Sequence, residues 1–446
     1  MSNALIERLS SREAKVGVIG LGYVGLPLAT AFGDAGYHVI GFEVDSKKVD
    51  ALMAGESYIS DVPAADVAQL VLAKKFEATL DFSRLEECDA ISVCVPTPLR
   101  KTRDPDISYI VEATRQIREH LRPGQVIVLE STTYPGTTIE VVAPALEEAL
   151  TPKGWKVGRE VHLAFSPERI DPGNPIYNVK NTPKIIGGVS PECSEAAQVL
   201  YGAIVDKVIT VSSPTAAEMV KLLENTFRAV NIGLVNEIAI IADKLDLDVW
   251  EIINAAASKP FGFMPFYPGP GLGGHCIPID PHYLSWKLKT LNYRTRFIEL
   301  ADDINSAMPE YVVDKVGMAL NLDAKPLRGS RVLVLGAAYK RDITDWRESP
   351  AIPVIEGLLK RGAEVDYQDD FVPRIGLGGH GGQMTLESVP LDYEAMADYD
   401  CAVIVTDHRY FDADQILTRC QRIVDTRNLT GRSDAAAAVM EKVVKL

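Results

Sequence analysis

The sequence predicts an α/β protein in which two doubly wound domains are joined by a long central helical region. Short apolar strands alternate with helical patterns in the first half, and the same alternation restarts at Arg331. This alternation is typical of parallel sheets with helices on both faces. Between the halves, apolar residues recur at helical spacing from Thr215 to about Lys259. We expect three domains: an N-terminal α/β domain over 1–210, a central helical domain over 211–320 and a second α/β domain over 321–446.

The first half begins with a strand, a glycine turn, a helix and a second strand. The strand Lys15–Gly20, the helix Leu26–Ala35 and the strand His38–Val44 form a βαβ pattern. The alternation continues with strands at Ala90–Val95, Gln125–Glu130 and His162–Phe165, and with a helix at Asp106–Leu121.

The second half repeats the pattern after a loop rich in proline and glycine, Phe263–Pro281, and a helical region that reaches about Leu320. Its first turn reads GAAYK and lacks the glycine pattern of the first half. We interpret Gly376–Gly382 (GLGGHGG) as a surface loop. The predicted elements are strands at Arg331–Gly336, Ala363–Tyr367 and Cys401–Val405, and a helix at Pro350–Arg361.

The composition is that of a globular protein with an acidic surface. The 446 residues contain 46 Lys and Arg against 61 Asp and Glu, a net charge of −15, which argues against binding to nucleic acid or to anionic membrane. The charged N-terminal residues lack the apolar core of a signal peptide, and no apolar stretch is long enough to span a membrane. Six scattered cysteines without a C-x-x-C pair favour reduced thiols over a disulfide or zinc framework. We therefore expect a soluble cytoplasmic protein without a metal.

A glycine-rich turn directly follows the first predicted strand and precedes a helix. Gly20, Gly22 and Gly25 form the pattern G-x-G-x-x-G. The first glycine allows a tight turn, the second lets the backbone approach a pyrophosphate, and the third lets helix and strand pack closely. The turn predicts a dinucleotide site that includes Tyr23 and Val24, although a turn that needs glycine only for packing would show the same pattern.

An acidic residue supports the dinucleotide site. Glu43 lies 18 residues after Gly25, at the end of the second predicted strand. A carboxylate at this position binds the ribose hydroxyls and repels a 2′-phosphate, which favours NAD over NADP. Lys48 is either a surface lysine or a neighbour of the adenosine.

One cysteine lies in an unusual sequence environment. Cys276 stands in GPGLGGHCIPIDPHY, whose glycines permit close approach of a ligand. A thiolate beside bound NAD is stabilised and nucleophilic, so we predict that Cys276 is catalytic. His275 either polarises this thiol or has a local structural role, and Asp280 is either a functional carboxylate or a turn former before Pro281. We expect the other cysteines to be buried structural residues: Cys88, Cys94, Cys193, Cys401 and Cys420.

Further polar residues are candidates for the same chemistry. Lys221 and Asn225 lie four residues apart on the predicted central helix and project from one face, which is either solvated or partly buried. If that face is buried, the pair could stabilise a developing alkoxide. Glu168 and Thr132 each follow a strand, where doubly wound folds place their sites. Each could instead have a local role, as a loop charge and as a turn cap.

These motifs together resemble the UDP-glucose/GDP-mannose dehydrogenase family from about Ala14 to the C-terminus. Within the family, GGHCIPIDPHYLSWK and SPERIDPGNP are most similar to enzymes that act on UDP-N-acetylhexosamines, above all UDP-N-acetylglucosamine. Enzymes acting on UDP-glucose typically have serine in place of His275 and lysine in place of Ile279. The likeness is carried by VGVIGLGYVGLPLA, CVPTPL, ESTTYPGTT, FSPER, AEMVKLLENTFRAVNI, GLGGHCIPIDP and YKRDITDWRESP.

The resemblance implies a four-electron oxidation at C6 of the sugar with two NAD per sugar, by enzymes whose products commonly supply surface polysaccharides. Cys276 would trap the intermediate aldehyde as a thiohemiacetal, and its oxidation would give a thioester that water hydrolyses. A cysteine eases the second oxidation because a covalent adduct can lose a second hydride.

The resemblance also assigns supporting roles. Lys221 would stabilise oxyanions, while Asn225 and Asp280 would position groups and a water around them. Glu168 would act as an acid/base or orient the water, with help from Thr132.

Binding residues follow from the same resemblance. Thr97 would line the nicotinamide, Arg347 would reach the cofactor, Lys340 would bind substrate, and Arg169 is a further candidate for its diphosphate. The second α/β domain would hold UDP, and the central helix would form the interface of a homodimer or a higher homo-oligomer. The loop expected to cover the sugar nucleotide includes Phe266, Tyr267, Gly271 and Gly273.

Two other functions are compatible with parts of the sequence. A one-step β-hydroxyacid dehydrogenase shares the N-terminal domain and a catalytic lysine, but it has no need of Cys276. A catalytically silent protein that binds NAD or a sugar nucleotide would bind its ligands without producing NADH.

Overall fold

The computed structural model describes residues 2–59, 61–100, 104–169, 171, 174, 176–274, 276–378, 384–434 and 437–446. The chain forms two compact units. The first unit comprises Met1–Glu224 and His282–Tyr293, and the second comprises Asn225–Pro281 and Arg294–Leu446. The boundaries of the three domains expected from the sequence stay a prediction. Among the described residues, no helix combines the length and apolar character needed to cross a membrane.

The first unit is built on one sheet with the strand order β3-β2-β1-β4-β5-β6-β7-β8. Neighbouring strands are parallel except β6 and β7, which are antiparallel. The strands are β1 (Lys15–Ile19), β2 (His38–Phe42), β3 (Phe76–Thr79), β4 (Ala90–Val93), β5 (Val126–Leu129), β6 (His162–Phe165), β7 (Lys184–Gly188) and β8 (Val208–Thr210).

Helices cover both faces of this sheet, as the sequence predicts. Along β5, Val126 and Val128 belong to one buried apolar layer, and Ile127 and Leu129 belong to the other. Successive side chains of a strand point to opposite faces, so a strand buried on both sides is apolar throughout. The helices are α1 (Ser2–Ser11), α2 (Gly25–Asp34), α3 (Ser46–Met53), α4 (Ala64–Leu72), α5 (Ser108–Glu119), α6 (Ala143–Leu150) and α7 (Pro191–Tyr201).

The central apolar pattern forms two helices. They are α8 (Pro214–Lys244), which begins in the first unit and continues into the second, and α9 (Val249–Ala257). The break follows from Asp246, at φ 54°, and from Asp248, whose side chain accepts hydrogen bonds from the first amides of α9. The helices α10 (Asp280–Lys289) and α11 (Arg296–Asn321) follow the proline- and glycine-rich loop.

The second unit contains a parallel sheet with the strand order β10-β9-β13-β14-β15 and an antiparallel hairpin of β11 and β12. Together with the first sheet, this confirms two Rossmann-like domains with a helical region between them in sequence. The strands are β9 (Arg331–Leu335), β10 (Glu364–Gln368), β11 (Arg374–Leu377), β12 (Met384–Glu387), β13 (Cys401–Ile404), β14 (Ile423–Asp425) and β15 (Val443–Lys445). The helices are α12 (Ala351–Lys360), α13 (Ala413–Arg419) and α14 (Ala437–Met440).

The interpretation of Gly376–Gly382 as a loop is wrong at its start. Gly376 and Leu377 belong to β11, where Gly376 pairs with Thr385 and Leu377 with Met384. The strand forms despite the glycine because its neighbours Ile375 and Leu377 are buried. Residues 379–383 lie outside the described part of the chain.

Candidate active site

The glycine turn of the first unit has the geometry that a dinucleotide requires. Gly20 has φ 88°, and a Cβ at Gly25 would lie 1.8 Å from the carbonyl oxygen of Gly20. Gly20 therefore makes the turn, and Gly25 lets α2 begin directly against it. A Cβ at Gly22 would meet no protein atom within 4 Å, so this backbone faces open space. The side chain of Tyr23 in the same turn is exposed, and Val24 caps α2.

Glu43 connects the second strand to the glycine turn. Its side chain is buried, Oε2 accepts a hydrogen bond from the amide of Leu21 at 3.2 Å, and Oε1 accepts one from the amide of Val44 at 2.9 Å. Lys48 Nζ lies 3.5 Å from Glu43 Oε2, so this lysine is a neighbour of the carboxylate. The structure therefore places a carboxylate and a glycine turn together, which fits the ribose and pyrophosphate of NAD.

Three predicted residues follow neighbouring strands at the carboxyl edge of the first sheet. Thr97, Thr132 and Glu168 come after β4, β5 and β6, which pair in that order. The carbonyl oxygen of Thr97 accepts a hydrogen bond from the hydroxyl of Tyr283 at 2.5 Å. This is the edge at which doubly wound sheets bind their ligands.

The first turns of α8 are attached to the same edge by two side chains. Glu218 is buried and accepts hydrogen bonds from the amides of Gly136 at 2.5 Å and Thr138 at 2.9 Å. Lys221, three residues further along the helix, is also buried, and its Nζ donates to Thr132 Oγ1 at 2.5 Å. The helix face that carries Lys221 is thus partly buried, and the lysine reaches the loop after β5.

Glu168 is held among charged neighbours. Its side chain is 10% exposed, Oε1 accepts a hydrogen bond from the amide of Arg169 at 2.7 Å, and Oε2 lies 3.5 Å from Lys184 Nζ. The guanidinium of Arg169 donates to Glu224 and to the carbonyl of Pro183. Sequence reasoning missed Lys184 because no motif contains it. Part of the motif after Arg169, including Ile170 and Pro172, lies outside the described residues.

Cys276 differs from the other cysteines in the structure as well as in the sequence. It is exposed, whereas the other five are buried, as predicted. Burial raises the pKa of Cys88 and of Cys420 to about 12, which keeps these thiols protonated and unreactive. His275, beside Cys276, lies outside the described residues.

The end of the Cys276 loop is anchored inside the second unit. Asp280 is the first residue of α10 and is buried, and its amide donates to the carbonyl oxygen of Cys276 at 2.8 Å. Its Oδ2 accepts a hydrogen bond from Asn225 Nδ2 at 2.5 Å. Asp280 is therefore more than a turn former before Pro281, because it joins the Cys276 loop to α8.

The glycines before Cys276 make room for a side chain of the same unit. A Cβ at Gly273 would lie 2.8 Å from Tyr339 Cβ, and one at Gly274 would lie 2.9 Å from Tyr339 Cε2. Gly271 has φ 136°, a conformation that other residues rarely adopt. The sequence predicts that these glycines permit close approach of a ligand, but at Gly273 and Gly274 the space is occupied by Tyr339 of the GAAYK turn. Lys340 follows directly in that turn.

The earlier part of the loop packs against the central helices. Phe266 meets Phe227 of α8 edge to face, with ring centroids 5.7 Å apart. Tyr267 stacks on Trp250 of α9 at 5.6 Å, and its hydroxyl donates to Asn254 at 3.0 Å. These contacts order the loop that the sequence predicts to cover a ligand.

Sequence reasoning missed a half-buried arginine beside this loop. Arg427 Nε donates to the carbonyl of Val405 at 2.9 Å, and a Cβ at Gly269 would lie 2.5 Å from Arg427 Nη1. Burial and the nearby charge of Arg341 lower the pKa of Arg427 to about 10. Its guanidinium is 158 residues from Gly269 in sequence, so no local pattern could reveal the pairing. An arginine guanidinium pairs well with an anionic group such as a phosphate.

The GAAYK turn of the second unit is closed by a carboxylate of the protein. Asp369 Oδ2 accepts hydrogen bonds from the amides of Ala337 at 2.7 Å and Ala338 at 2.9 Å, and it lies 2.9 Å from His408 Nε2. Both Asp369 and His408 are buried. The amides that could receive a dinucleotide phosphate are therefore already occupied, which agrees with the missing glycine pattern.

Arg347 lies outside this turn, on a more exposed segment. Its guanidinium forms two hydrogen bonds with Asp345, at 3.0 and 2.9 Å. Its side chain is about half exposed. The predicted contact of Arg347 with the cofactor stays a prediction.

The chain matches three family profiles that together span most of its length. The NAD binding domain of the UDP-glucose/GDP-mannose dehydrogenase family matches residues 14–205, its central domain matches residues 215–307, and its UDP binding domain matches residues 333–432.

Similar proteins cover nearly the whole chain. The UDP-N-acetyl-D-glucosamine 6-dehydrogenase of Pseudomonas aeruginosa is 35% identical over 362 residues, covering 81% of this chain and 84% of that protein. The UDP-N-acetyl-D-mannosamine dehydrogenase of Methanococcus maripaludis is 34% identical over 427 residues, covering 93% of each. The structure of an NDP-N-acetyl-D-galactosaminuronic acid dehydrogenase from Methanosarcina mazei has a TM-score of 0.81 and 30% identity, covering 99% of this chain and 97% of that one.

Two of the three glycines of the first turn, Gly22 and Gly25, allow a test that separates binding from stability. We expect Gly22→Ala to change the free energy of unfolding by less than about 0.5 kcal/mol, because its Cβ meets no protein atom. The same methyl group would obstruct the pyrophosphate, so NADH affinity should fall by about 10-fold or more. Gly25→Ala should lower both the free energy of unfolding and the affinity for NADH.

Urea denaturation and NADH titration by fluorescence measure the two effects. Gly317→Ala on α11 is the matched control, since its Cβ also has open space, and it should leave NADH affinity unchanged. Wild-type affinity in Gly22→Ala would contradict the assignment of this turn to the cofactor.

Proposed function

The chain belongs to the UDP-glucose/GDP-mannose dehydrogenase family, and we propose that it oxidises C6 of a UDP-N-acetylhexosamine to the carboxylate, with UDP-N-acetylglucosamine as its preferred substrate. It is an NAD-dependent oxidoreductase, and the UDP-sugar binds through a UDP binding domain. The choice of sugar rests on the motifs around Cys276 and Glu168. The similar proteins are named for three different N-acetylated sugars, so the preference needs a direct test.

The observation that carries the proposed reaction is the exposure of Cys276 in a loop that is anchored on both sides. A one-step alcohol oxidation needs no nucleophile, whereas the conversion of an aldehyde to an acid is eased by a covalent adduct. The Cys276 thiolate would add to the aldehyde to give a thiohemiacetal. Loss of a hydride from this adduct leaves a thioester, which water hydrolyses to the carboxylate and the free thiol. Bound NAD supplies the hydride acceptor for each of the two oxidations.

Several polar residues would assist these steps. Lys221, buried and bonded to Thr132, would stabilise the oxyanion of the alkoxide and of the thiohemiacetal. Asn225 and Asp280 hold each other and would position groups around the reacting carbon. Glu168 would act as an acid/base or orient the hydrolytic water, with Thr132 helping to hold that water.

The remaining binding roles are proposed from the resemblance to the family. The turn at Gly20–Gly25, with Glu43 and Lys48, would hold the adenosine half of NAD, while Thr97 and Arg347 would contact its nicotinamide half. The substrate would be covered by the loop from Phe266 to Gly273, which includes Tyr267 and Gly271.

Cationic residues of the second unit would bind the UDP group. Lys340 would contact the substrate from the GAAYK turn, and Arg427 would bind the diphosphate beside Gly269. The contact of Arg169 with the substrate diphosphate stays a prediction. An incoming diphosphate would compete with Glu224 and the Pro183 carbonyl for the guanidinium of Arg169.

The central helix would form the interface of a homodimer. Phe227, Leu234 and Ile241 recur every seven residues on α8 and are 47%, 52% and 44% exposed. Residues at this spacing share one helix face, and an exposed apolar face of that kind is typical of an interface between copies.

The substrate assignment is tested by a panel of sugar nucleotides. The protein is incubated with NAD and with UDP-N-acetylglucosamine, UDP-N-acetylgalactosamine, UDP-N-acetylmannosamine or UDP-glucose in turn. We expect the highest kcat/KM with UDP-N-acetylglucosamine and two NADH per sugar consumed. A preference for another sugar would refute the assignment but leave the reaction intact, and one NADH per sugar would exclude the thioester route.

The nucleophile is tested by Cys276→Ser. We expect NADH production to fall by a factor of roughly 1000 or more, because serine does not replace a thiolate in this role. The unfolding free energy should change little, since Cys276 is exposed. As a matched measurement, iodoacetamide should modify Cys276 alone in the native protein and abolish activity in parallel, because the other cysteines are buried. Full activity of Cys276→Ser would overturn the role of the thiol.

The dimer is tested by Leu234→Glu, which places a charge in the centre of the exposed face of α8. We expect light scattering to give a dimer mass for the wild type and a monomer mass for the variant. Leu72→Glu is the control, since Leu72 on α4 is 84% exposed and lies outside that face. A monomeric wild type, or an unchanged mass in Leu234→Glu, would contradict the interface.

A further inference from the structure

A buried lysine that the proposed reaction does not use lies beside Glu168. Lys184 is the first residue of β7, and its side chain is 9% exposed. Its Nζ donates to Glu130 Oε2 at 2.6 Å and lies 3.5 Å from Glu168 Oε2. The lysine therefore stands between two carboxylates at the carboxyl edge of the first sheet.

The sheet topology places the lysine there. β7 is antiparallel to β6, with Ala164 opposite Gly188 and Phe165 opposite Gly187. The same register continued beyond the end of β6 sets Glu168 opposite Lys184. The start of β7 therefore lies beside the end of β6, so Lys184 in β7 can face Glu168 in the loop after β6.

Glu130, the other carboxylate beside Lys184, is fully engaged by other buried groups. Glu130 Oε1 accepts a hydrogen bond from the hydroxyl of Tyr201, which lies 2.9 Å from Ser92 Oγ. Glu130, Tyr201 and Ser92 are each 1% exposed or less. A network closed off from solvent in this way suits a fixed electrostatic role better than proton exchange with water.

The cluster contains one cation for two carboxylates. Burial alone would lower the pKa of Lys184, but the charges of Glu130 and Glu168 raise it above its usual range, so the lysine is charged. A carboxylate that loses its counter-charge in a buried setting is strongly disfavoured in its ionised form. Burial raises the pKa of Glu130, and the charge of Lys184 opposes that rise. The same ammonium group lies 3.5 Å from Glu168 Oε2.

We propose that Lys184 is a positioning residue for Glu168, which it holds in the ionised state and in one orientation through the charge that it shares with Glu130. This inference rests on the role given to Glu168 under the proposed function. With Oε2 facing Lys184 and Oε1 facing the amide of Arg169, the carboxylate is fixed at both oxygens. An ionised carboxylate in a fixed position can accept a proton or orient water, and it cannot donate a proton.

Other titratable groups face this cluster. Cys94, after β4, is buried, and burial together with Glu130 raises the pKa of its thiol, so it adds no charge. Tyr201 on α7 bonds Glu130, and the Arg169 guanidinium is paired with Glu224. Among the described neighbours, Lys184 is thus the cation that contacts both Glu130 and Glu168.

Two variants separate this role from a structural ion pair. Glu130→Gln removes the competing carboxylate, so the whole charge of Lys184 acts on Glu168. The acidic limb of the kcat/KM profile should move to lower pH by about one unit. The double variant Glu130→Gln with Lys184→Met keeps the net charge of the cluster at −1 and so avoids two unpaired buried carboxylates. Its kcat should fall roughly 10- to 100-fold at pH 7, its acidic limb should move to higher pH, and its KM for NAD should not change.

The readouts are pH–rate profiles and NADH titration of the full chain. An unchanged acidic limb in Glu130→Gln would overturn the proposal, and this variant retains Lys184 in case the double variant does not fold. Wild-type kcat and profile in the double variant would also overturn it, since Lys184 would then serve Glu130 alone. Full activity of Glu168→Gln would remove the role of Glu168 and the proposal with it. The count of two NADH per sugar in the wild type tests the reaction independently of Lys184.

Discussion

The attachment of α8 to the loop after β5 is the interaction on which the site of the first unit depends. The buried carboxylate of Glu218 accepts hydrogen bonds from the amides of Gly136 and Thr138, where that loop leads into the next helix. A buried carboxylate without such donors would be costly, so the helix and the loop are stabilised only together. Lys221 follows one turn later and reaches Thr132 because Glu218 has already fixed the register of the helix against the sheet. The lysine is thereby buried with its Nζ next to a hydroxyl of the loop after β5.

The two α/β halves share the same arrangement of strand, glycine turn and carboxylate, but the turn is open in the first half and occupied in the second. In each half a glycine with positive φ follows the first strand, and a carboxylate follows the second. Glu43 takes one amide of its turn, and the backbone at Gly22 stays open. Asp369 takes two amides of its turn and is itself held by His408. The second half has thus filled with its own carboxylate the place where a dinucleotide phosphate would bind.

Local patterns were sufficient for most of the fold and for part of the site. The glycine turn, Glu43 and the residues after each strand could be predicted because the chemistry lies within a few residues or follows from strand alternation. Lys184, Glu218 and Arg427 could not, because each has a partner that is distant in sequence. Lys184 meets Glu130 across 54 residues and Glu218 meets Gly136 across 82 residues. Arg427 lies against Gly269. The spacing of the apolar residues in α8 correctly predicted a helix, but it did not predict what packs against each face of that helix. Leu223, Phe227 and Leu234 are exposed in the single chain, since periodicity defines a face and does not show what packs on it.

The two glycine-rich segments look alike in sequence, but the space that their missing side chains leave is used differently. At Gly22 the missing side chain leaves open space for a ligand, whereas at Gly273 and Gly274 it makes room for Tyr339. The Cys276 loop is therefore positioned by the protein itself. It is attached to the central helices through Asn236, which accepts a hydrogen bond from the amide of Gly269, and through Asn225, which bonds Asp280. Covalent catalysis gains most when a nucleophile is held in place before the substrate arrives, because the entropy of ordering is then lost on folding and not in the reaction. The loop thus combines an exposed thiol with a fixed backbone, and these two properties together distinguish Cys276 from the five buried cysteines.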